Sequence, residues 1–256
     1  MAYRPRSLKH EYELYVEREI EDYKESVPRN VLLSIGDEAV ASLTGQTQLA
    51  LTELLLCDEV DRIIRARLRM PTYAAWRKRR LRALKELSRP ERWGLRPDGM
   101  LARTVESTRE GHVLVAGGGE DGPALYLAAN GCEVTALDST EDVLERVMHA
   151  ATEVGLTGLV HGMIADLGSY SPEVPLKAVV CTTGALASLS RLERERAISL
   201  LQDATTAGGV HMLETCAGGE RLVALEELEA SYRGWQIFVE PGFRSAETFL
   251  AKKSVA

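Results

Sequence analysis

Val113–Asp138 reads VLVAGGGEDGPALYLAANGCEVTALD, and its pattern predicts strand, glycine turn, helix, strand. Val113–Ala116 is a short apolar run suited to a strand buried on both faces. Gly117, Gly118 and Gly119 follow at once, where backbone turns tightly or lies against a ligand. Gly122-Pro123 opens a helix, with proline where no intrahelical N–H is needed. Ala124, Leu125, Leu127 and Ala128 supply its apolar face, and Asn130-Gly131 closes it with left-handed cap chemistry. Cys132–Leu137 is the second strand. It ends on Asp138, where a nucleotide-binding βαβ unit carries the acid for ribose hydroxyls.

The alternation continues downstream. Ser139-Thr140 ahead of Glu141-Asp142 starts a helix that runs to Glu153 or Val154 and stops at Gly155. Leu159–Ala165 is a third strand ending at Asp166, and Leu176–Cys181 a fourth ending at Thr182-Thr183-Gly184. A helix over Leu192–Ala207, closed by Gly208-Gly209, leads to a fifth strand at Val210–Glu214. A helix over Glu220–Ala230 comes next. Gly234–Glu240 and Thr248–Lys252 then flank the Pro241-Gly242 turn as an antiparallel pair. The expected fold class is α/β and Rossmann-like: a mainly parallel seven-stranded sheet with an antiparallel C-terminal pair.

Residues 1–99 show no strand pattern and are expected to form an all-α N-terminal domain, with the Rossmann-like domain over 100–256. Apolar residues at helical spacing mark Leu8–Val27, Gln46–Leu68 and Tyr73–Leu87, while Gly36-Asp37 reads as a break within Val31–Leu43. Tyr12, Tyr15 and Tyr23 lie on the first of these stripes and are read as core packing before ligand contacts. Pro90, Gly94, Pro97 and Gly99 crowd into a connection between the domains.

The 256 residues are 45% hydrophobic, enough for one large core or a core plus a smaller domain. No apolar run has the length of a membrane span, and MAYRPRSLKH has no apolar leader core. Cys57, Cys132, Cys181 and Cys216 are widely spaced without a CxxC pair, which fits buried thiols in a reducing cytoplasm and no metal site. The net charge of −7 is unevenly distributed. Residues 62–96 carry 13 Lys/Arg against 2 Asp/Glu, between residues 1–61 with 6 against 13 and residues 111–256 with 10 against 20. The internal acid excess favours a solvated helix face paired with the acidic regions. Nucleic acid ranks below that reading, because the sequence has no recognisable RNA-binding module. An acidic partner or substrate is the third reading.

Gly117-x-Gly119-x-x-Gly122 formally matches GxGxxG, the dinucleotide fingerprint. The strands after the turn point elsewhere. Residues 111–256, with strands ending on Asp166-Leu167 and Thr182-Thr183 and an antiparallel C-terminal pair, resemble the class I S-adenosylmethionine-dependent methyltransferases. The likeness is greatest to the small-molecule, tellurite-resistance-like branch, carried by ALYLAANGCEVTALDST. The resemblance implies S-adenosylmethionine as cofactor. It implies Gly117, Gly118 and Gly119 under the methionine moiety, Asp138 on the ribose hydroxyls, and Ser139 beside the adenosine. It further implies Asp166 at the adenine amino group, Leu167 against the ring and Thr182 on the floor near the methyl donor. Two positions depart from the family pattern: Val115 replaces an acid, and Asp121 stands where the third glycine belongs, with Gly122 one place later. Glu120 or Asp121 would have to supply the missing carboxylate.

The implied reaction is in-line methyl transfer to a small-molecule acceptor. Alignment of the partners and exclusion of water are essential, and a base is needed only for a protonated nucleophile. No catalytic residue is assigned. His112, His149 and His161 read as surface or packing residues, and Glu214 is a better candidate than His211 to face substrate. The alternatives are an NAD(P)-dependent oxidoreductase and a non-catalytic regulator of the same fold with a basic partner-binding helix.

Overall fold

The computed structural model describes residues 7–43, 52–117, 121–216, 223–241 and 246–254. The chain forms two compact units, residues 1–83 and 84–256. No helix among the described residues is long and apolar enough to cross a membrane.

The first unit is helical: α1 (Leu8–Ser26), α2 (Arg29–Leu43), α3 (Thr52–Arg67) and the start of α4 (Tyr73–Leu87). Ser7 caps α1 by accepting from the His10 N–H at 3.2 Å. Val27 turns extended ahead of Pro28, as a residue before proline must. The core consists of Val16, Ile20, Ile35, Ala39, Ile63 and Ile64. Gly36-Asp37 does not break the second helix, which runs unbroken from Arg29 to Leu43. Buried Ile35 and Ala39 hold the segment helical, and a Cβ at Gly36 would meet nothing within 4 Å. One glycine costs a helix about 1 kcal/mol, and burying one isoleucine offsets that.

The second unit holds the end of α4, a 3₁₀ turn at Pro90–Trp93, α5 (Met100–Thr108) and the sheet. Its strands are β1 (His112–Ala116), β2 (Glu133–Asp138), β3 (Val160–Ile164), β4 (Leu176–Cys181), β5 (Thr205–Cys216), β6 (Gln236–Pro241) and β7 (Ala246–Lys252). The order is β3-β2-β1-β4-β5-β7-β6. The first five are parallel to one another, and β7 is antiparallel to both β5 and β6. The seven-stranded fold read from the sequence is therefore the one observed. Helices α6 (Gly122–Ala129), α7 (Glu141–Glu153), α8 (Thr183–Ala187), α9 (Arg191–Ala204) and α10 (Leu225–Ser231) complete the unit. The expected helix start at Glu220 and Gly242 of the expected turn lie outside the described residues. Val113 and Val115 of β1 enter one apolar cluster with α6 and α7, while Leu114 and Ala116 enter another with α9 and β7. Burial on both faces is why β1 is apolar without alternation.

The helix expected to reach Ala207 ends at Ala204, and Thr205 already pairs with Leu176. Between that pair and Ala178–Val210 the register shifts, and Gly208 takes a φ of +71° in the irregularity. A Cβ at Gly209 would lie 2.9 Å from the Thr206 carbonyl oxygen and 3.0 Å from that of Lys177. These glycines make a bulge inside β5 rather than a helix stop. The short helix α8 after β4 also escaped the sequence reading.

His211 shows what holds the amino-terminal half of β5. It is fully buried, and its ring nitrogens share hydrogen bonds of 2.7 Å with the Thr205 and Tyr232 hydroxyls. Lys253 Nζ donates to the Gln202 and Thr205 carbonyls at 2.7 Å each. Desolvation, aided by the Lys253 charge, pushes the His211 pKa down to about 3. The imidazole stays neutral in the folded chain but takes a proton in the unfolded chain below about pH 6.5. Stability is therefore lost as pH falls from about 6.5 toward the folded value. Between neutral pH and pH 5.5 this residue alone costs about 1 kcal/mol. Thermal melts should show the wild type losing that much more over this interval than His211→Gln; equal losses would refute the assignment.

Candidate functional site

Of the residues singled out in the sequence, Gly117, Asp138, Ser139, Asp166, Leu167 and Thr182 lie at the carboxyl ends of β1, β2, β3 and β4. In an open α/β sheet that edge, beside the point where connections diverge, is where ligands bind. The divergence lies between β1 and β4, since β2 and β3 extend to one side and β5 to the other.

Gly117 follows β1 with a φ of +83°, and its N–H donates to the Leu137 carbonyl at 3.0 Å. The Thr182 N–H donates to the Ala116 carbonyl at 2.9 Å, and the Thr182 hydroxyl donates to the carbonyl of Gly117. A Cβ at Gly117 would run into the Thr182 hydroxyl and lie 3.0 Å from two atoms of Ala185. Glycine is thus required on two counts, by conformation and by the closeness of the β4–α8 turn. The Thr182 hydroxyl proton is committed to the loop. Gly118, Gly119 and Glu120 lie outside the described residues.

Asp121 occupies the N-cap position of α6 without making a side-chain cap hydrogen bond. Gly122 is needed because a Cβ there would sit 2.5 Å from the Trp93 carbonyl oxygen. Trp93 in turn donates its indole N–H to the Leu87 carbonyl at 2.6 Å. The segment read as a linker thus packs directly against the helix that follows the glycine turn. Its only sequence signal was the cluster of Pro90, Gly94, Pro97 and Gly99.

Asp138 is half-buried, and its Oδ1 accepts from the Thr140 N–H at 2.9 Å, which aims the carboxylate at the start of α7. Ser139 beside it is exposed. The Ala165 N–H donates to the Asp138 carbonyl at 3.0 Å, joining the ends of β2 and β3. Asp166 comes next, with its Oδ1 accepting from the Gly168 N–H at 2.7 Å. Leu167 is buried in the apolar cluster with Leu137 and Leu189. Two carboxylates therefore stand on adjacent strand ends, each oriented by a backbone N–H two residues on. Val115 is only 2% exposed within the other apolar cluster, so the edge holds no acid at that position.

The histidines lie elsewhere. His112 and Glu133 open β1 and β2, at the opposite end of the sheet, and His161 stands 3.5 Å from Glu133. Burial outweighs the Glu133 carboxylate and lowers the His112 pKa. His149 is exposed on α7, and His211 is consumed by the buried network. Glu214 pairs through its backbone with Thr248, and its side chain lies outside the described residues.

No family model and no curated protein matches the chain. Solved structures do. TehB from Haemophilus influenzae superposes with a TM-score of 0.52 at 18% identity, covering 60% of this chain and 61% of that one. Magnesium protoporphyrin IX methyltransferase from Synechocystis PCC 6803, solved with bound SAM, gives 0.51 at 19% identity over 65% and 80%. The cyclase SpnF gives 0.50 at 19% identity over 61% and 79%. The chain thus carries the Rossmann-like fold of the class I S-adenosylmethionine-dependent methyltransferases. A cyclase among these neighbours illustrates that the fold alone does not name a reaction.

Gly117→Ala is expected to destabilise the chain by more than about 1 kcal/mol, because the new methyl meets both an unfavourable φ and the Thr182 hydroxyl. Urea unfolding measures this. A loss no larger than that of Gly36→Ala, where the added methyl has open space, would refute the packing argument.

Proposed function

We propose that the second unit binds S-adenosylmethionine and transfers its methyl group to a small-molecule acceptor. The observation that carries the reading is the pair of carboxylates, Asp138 and Asp166, at the ends of β2 and β3, flanking the clamped glycine turn after β1. This donor set fits an adenosine: one carboxylate for the vicinal hydroxyls of the ribose, the next for the adenine amino group. Ser139 and Leu167 flank those two positions in sequence. Sheet order also favours this over the oxidoreductase reading. A dinucleotide-binding sheet continues 3-2-1-4-5-6, whereas here antiparallel β7 is inserted between β5 and β6.

When bound, the cofactor supplies an electrophilic methyl carbon and a neutral thioether leaving group. The work left to the chain is binding and alignment. Asp138, oriented by the Thr140 N–H, accepts from the ribose hydroxyls. Gly117 brings backbone close to the methionine moiety, and Thr182 holds the turn in register with β4. The methionine end is the less provided for, since Val115 offers no charge and the carboxylates of Glu120 and Asp121 are the ones next along the loop. No proton acceptor is assigned, and an acceptor that reacts as an anion or a soft nucleophile requires none. The small-molecule acceptor rests on the resemblance of ALYLAANGCEVTALDST to that branch.

Calorimetry with S-adenosylhomocysteine tests the reading. Binding is expected, and Asp138→Asn, which keeps an oxygen for Thr140 but loses the charge, should weaken it by about 1.5–3 kcal/mol. Absence of binding, or binding of a nicotinamide dinucleotide in its place, would overturn the proposal.

A further inference from the structure

The basic belt read in the sequence is only partly neutralised. Within the first unit, residues 62–83 include nine Lys/Arg and no Asp/Glu. Arg62 pairs with Glu59 at 2.6 Å, Arg67 with Glu38 at 2.5 Å and Arg80 with Glu11 at 3.2 Å. Arg77, Lys78, Arg79 and Arg82 are exposed on α4 and have no ion-pair partner among the described residues. Among these five cations of the helix, the expected pairing with acidic α1 is thus met at Arg80 alone. Lys78 and Arg82, four residues apart, form one ridge, with Arg77 and Arg79 to either side of it. Like charges so close destabilise a helix unless an anion covers them.

Aromatic rings adjoin the cations. Tyr15 and Trp76 stack at 6.1 Å between centroids and 30° between planes, and Tyr73 and Trp76 at 6.5 Å and 23°. Tyr12 lies 5.5 Å from each of Tyr73 and Trp76, with its hydroxyl donating to the Pro71 carbonyl at 2.9 Å. Tyr12 and Tyr15 pack on the apolar core, but Tyr73 and Trp76 do not belong to that cluster. Tyr73 is 37% exposed. Burial and then the Glu19 carboxylate raise the Tyr15 pKa, with Arg79 and Arg18 opposing them, so both cations and an acid lie near this ring.

We propose that Tyr15, Tyr73 and Trp76, with Arg77, Lys78, Arg79 and Arg82, form a binding platform for single-stranded nucleic acid. Unpaired bases stack on the exposed surface of this ring cluster at Tyr73, and the phosphates that follow lie along the cationic ridge. An acidic polypeptide would satisfy the cations but has no use for the rings, and a duplex hides its base faces. This binding is separate from methyl transfer, and its outcome is independent of S-adenosylhomocysteine affinity.

Fluorescence anisotropy of the full chain with a labelled oligouridylate of about 12 nucleotides tests it, a length within the range of single-strand sites. The single strand should bind more tightly than an RNA duplex of equal length. With four phosphate contacts the slope of log K against log salt should be about −3. Tyr73→Ala should weaken binding about tenfold through lost stacking. Arg79→Gln with Arg82→Gln should reduce the slope to about half. Both variants change exposed side chains, and unchanged thermal melts will show that they fold. No binding at low salt, equal affinity for the duplex, indifference to Tyr73→Ala, or displacement by polyglutamate as effective as by unlabelled RNA would each overturn the proposal.

Discussion

The site depends on the contact between the ends of β1 and β4. Hydrogen bonds cross it from the Thr182 N–H to Ala116 and from the Thr182 hydroxyl to Gly117. The second forms only because residue 117 lacks a side chain. Strand connections part on either side of this contact, so the edge above it is not filled by a crossover. Asp138 and Asp166 then extend the same edge across β2 and β3. Each carboxylate accepts from a backbone N–H two residues on, and this local turn fixes it at the rim of the sheet.

The opposite end of the sheet is organised for permanence. His211, Thr205 and Tyr232 satisfy one another inside the apolar cluster, and Lys253 ties the last strand to the end of α9. Buried polar groups that are fully paired specify one arrangement, and an unpaired one would be costly. The bulge at Gly208-Gly209 belongs to this arrangement, because it brings β5 back into register with β4 after the histidine network has been placed. The polar side chains around the start of β5 are thus sealed inside, whereas those at the carboxyl edge stand at the rim.

The helical unit separates charge along the chain. Acidic residues dominate α1, and the ridge of α4 is wholly basic, yet among the described residues Arg80 is the one cation of that helix that pairs with an α1 carboxylate. The aromatic rings between them are stacked on one another and only partly covered. Core demand explains Tyr12 and Tyr15, which pack on the cluster of Val16 and Ile20, but not Tyr73 and Trp76.

The apolar run of β1, the glycine turn, the capped helix after it and the acid ending β2 were all legible in Val113–Asp138, because each reflects local backbone preference or burial on two faces. The same rules predicted seven strands and their directions. Local rules failed where distant residues decide. Gly36 looked like a break, but Ile35 and Ala39 enter a core shared with α1 and α3 and carry the helix through. Gly208-Gly209 looked like a helix stop, but strand register made them a bulge. The Thr182 hydroxyl reaches Gly117 across 65 positions, Trp93 approaches Gly122 across 29, and His211 meets Tyr232 across 21. Sequence spacing has no term for such contacts, since they exist only once the sheet has brought its strands together.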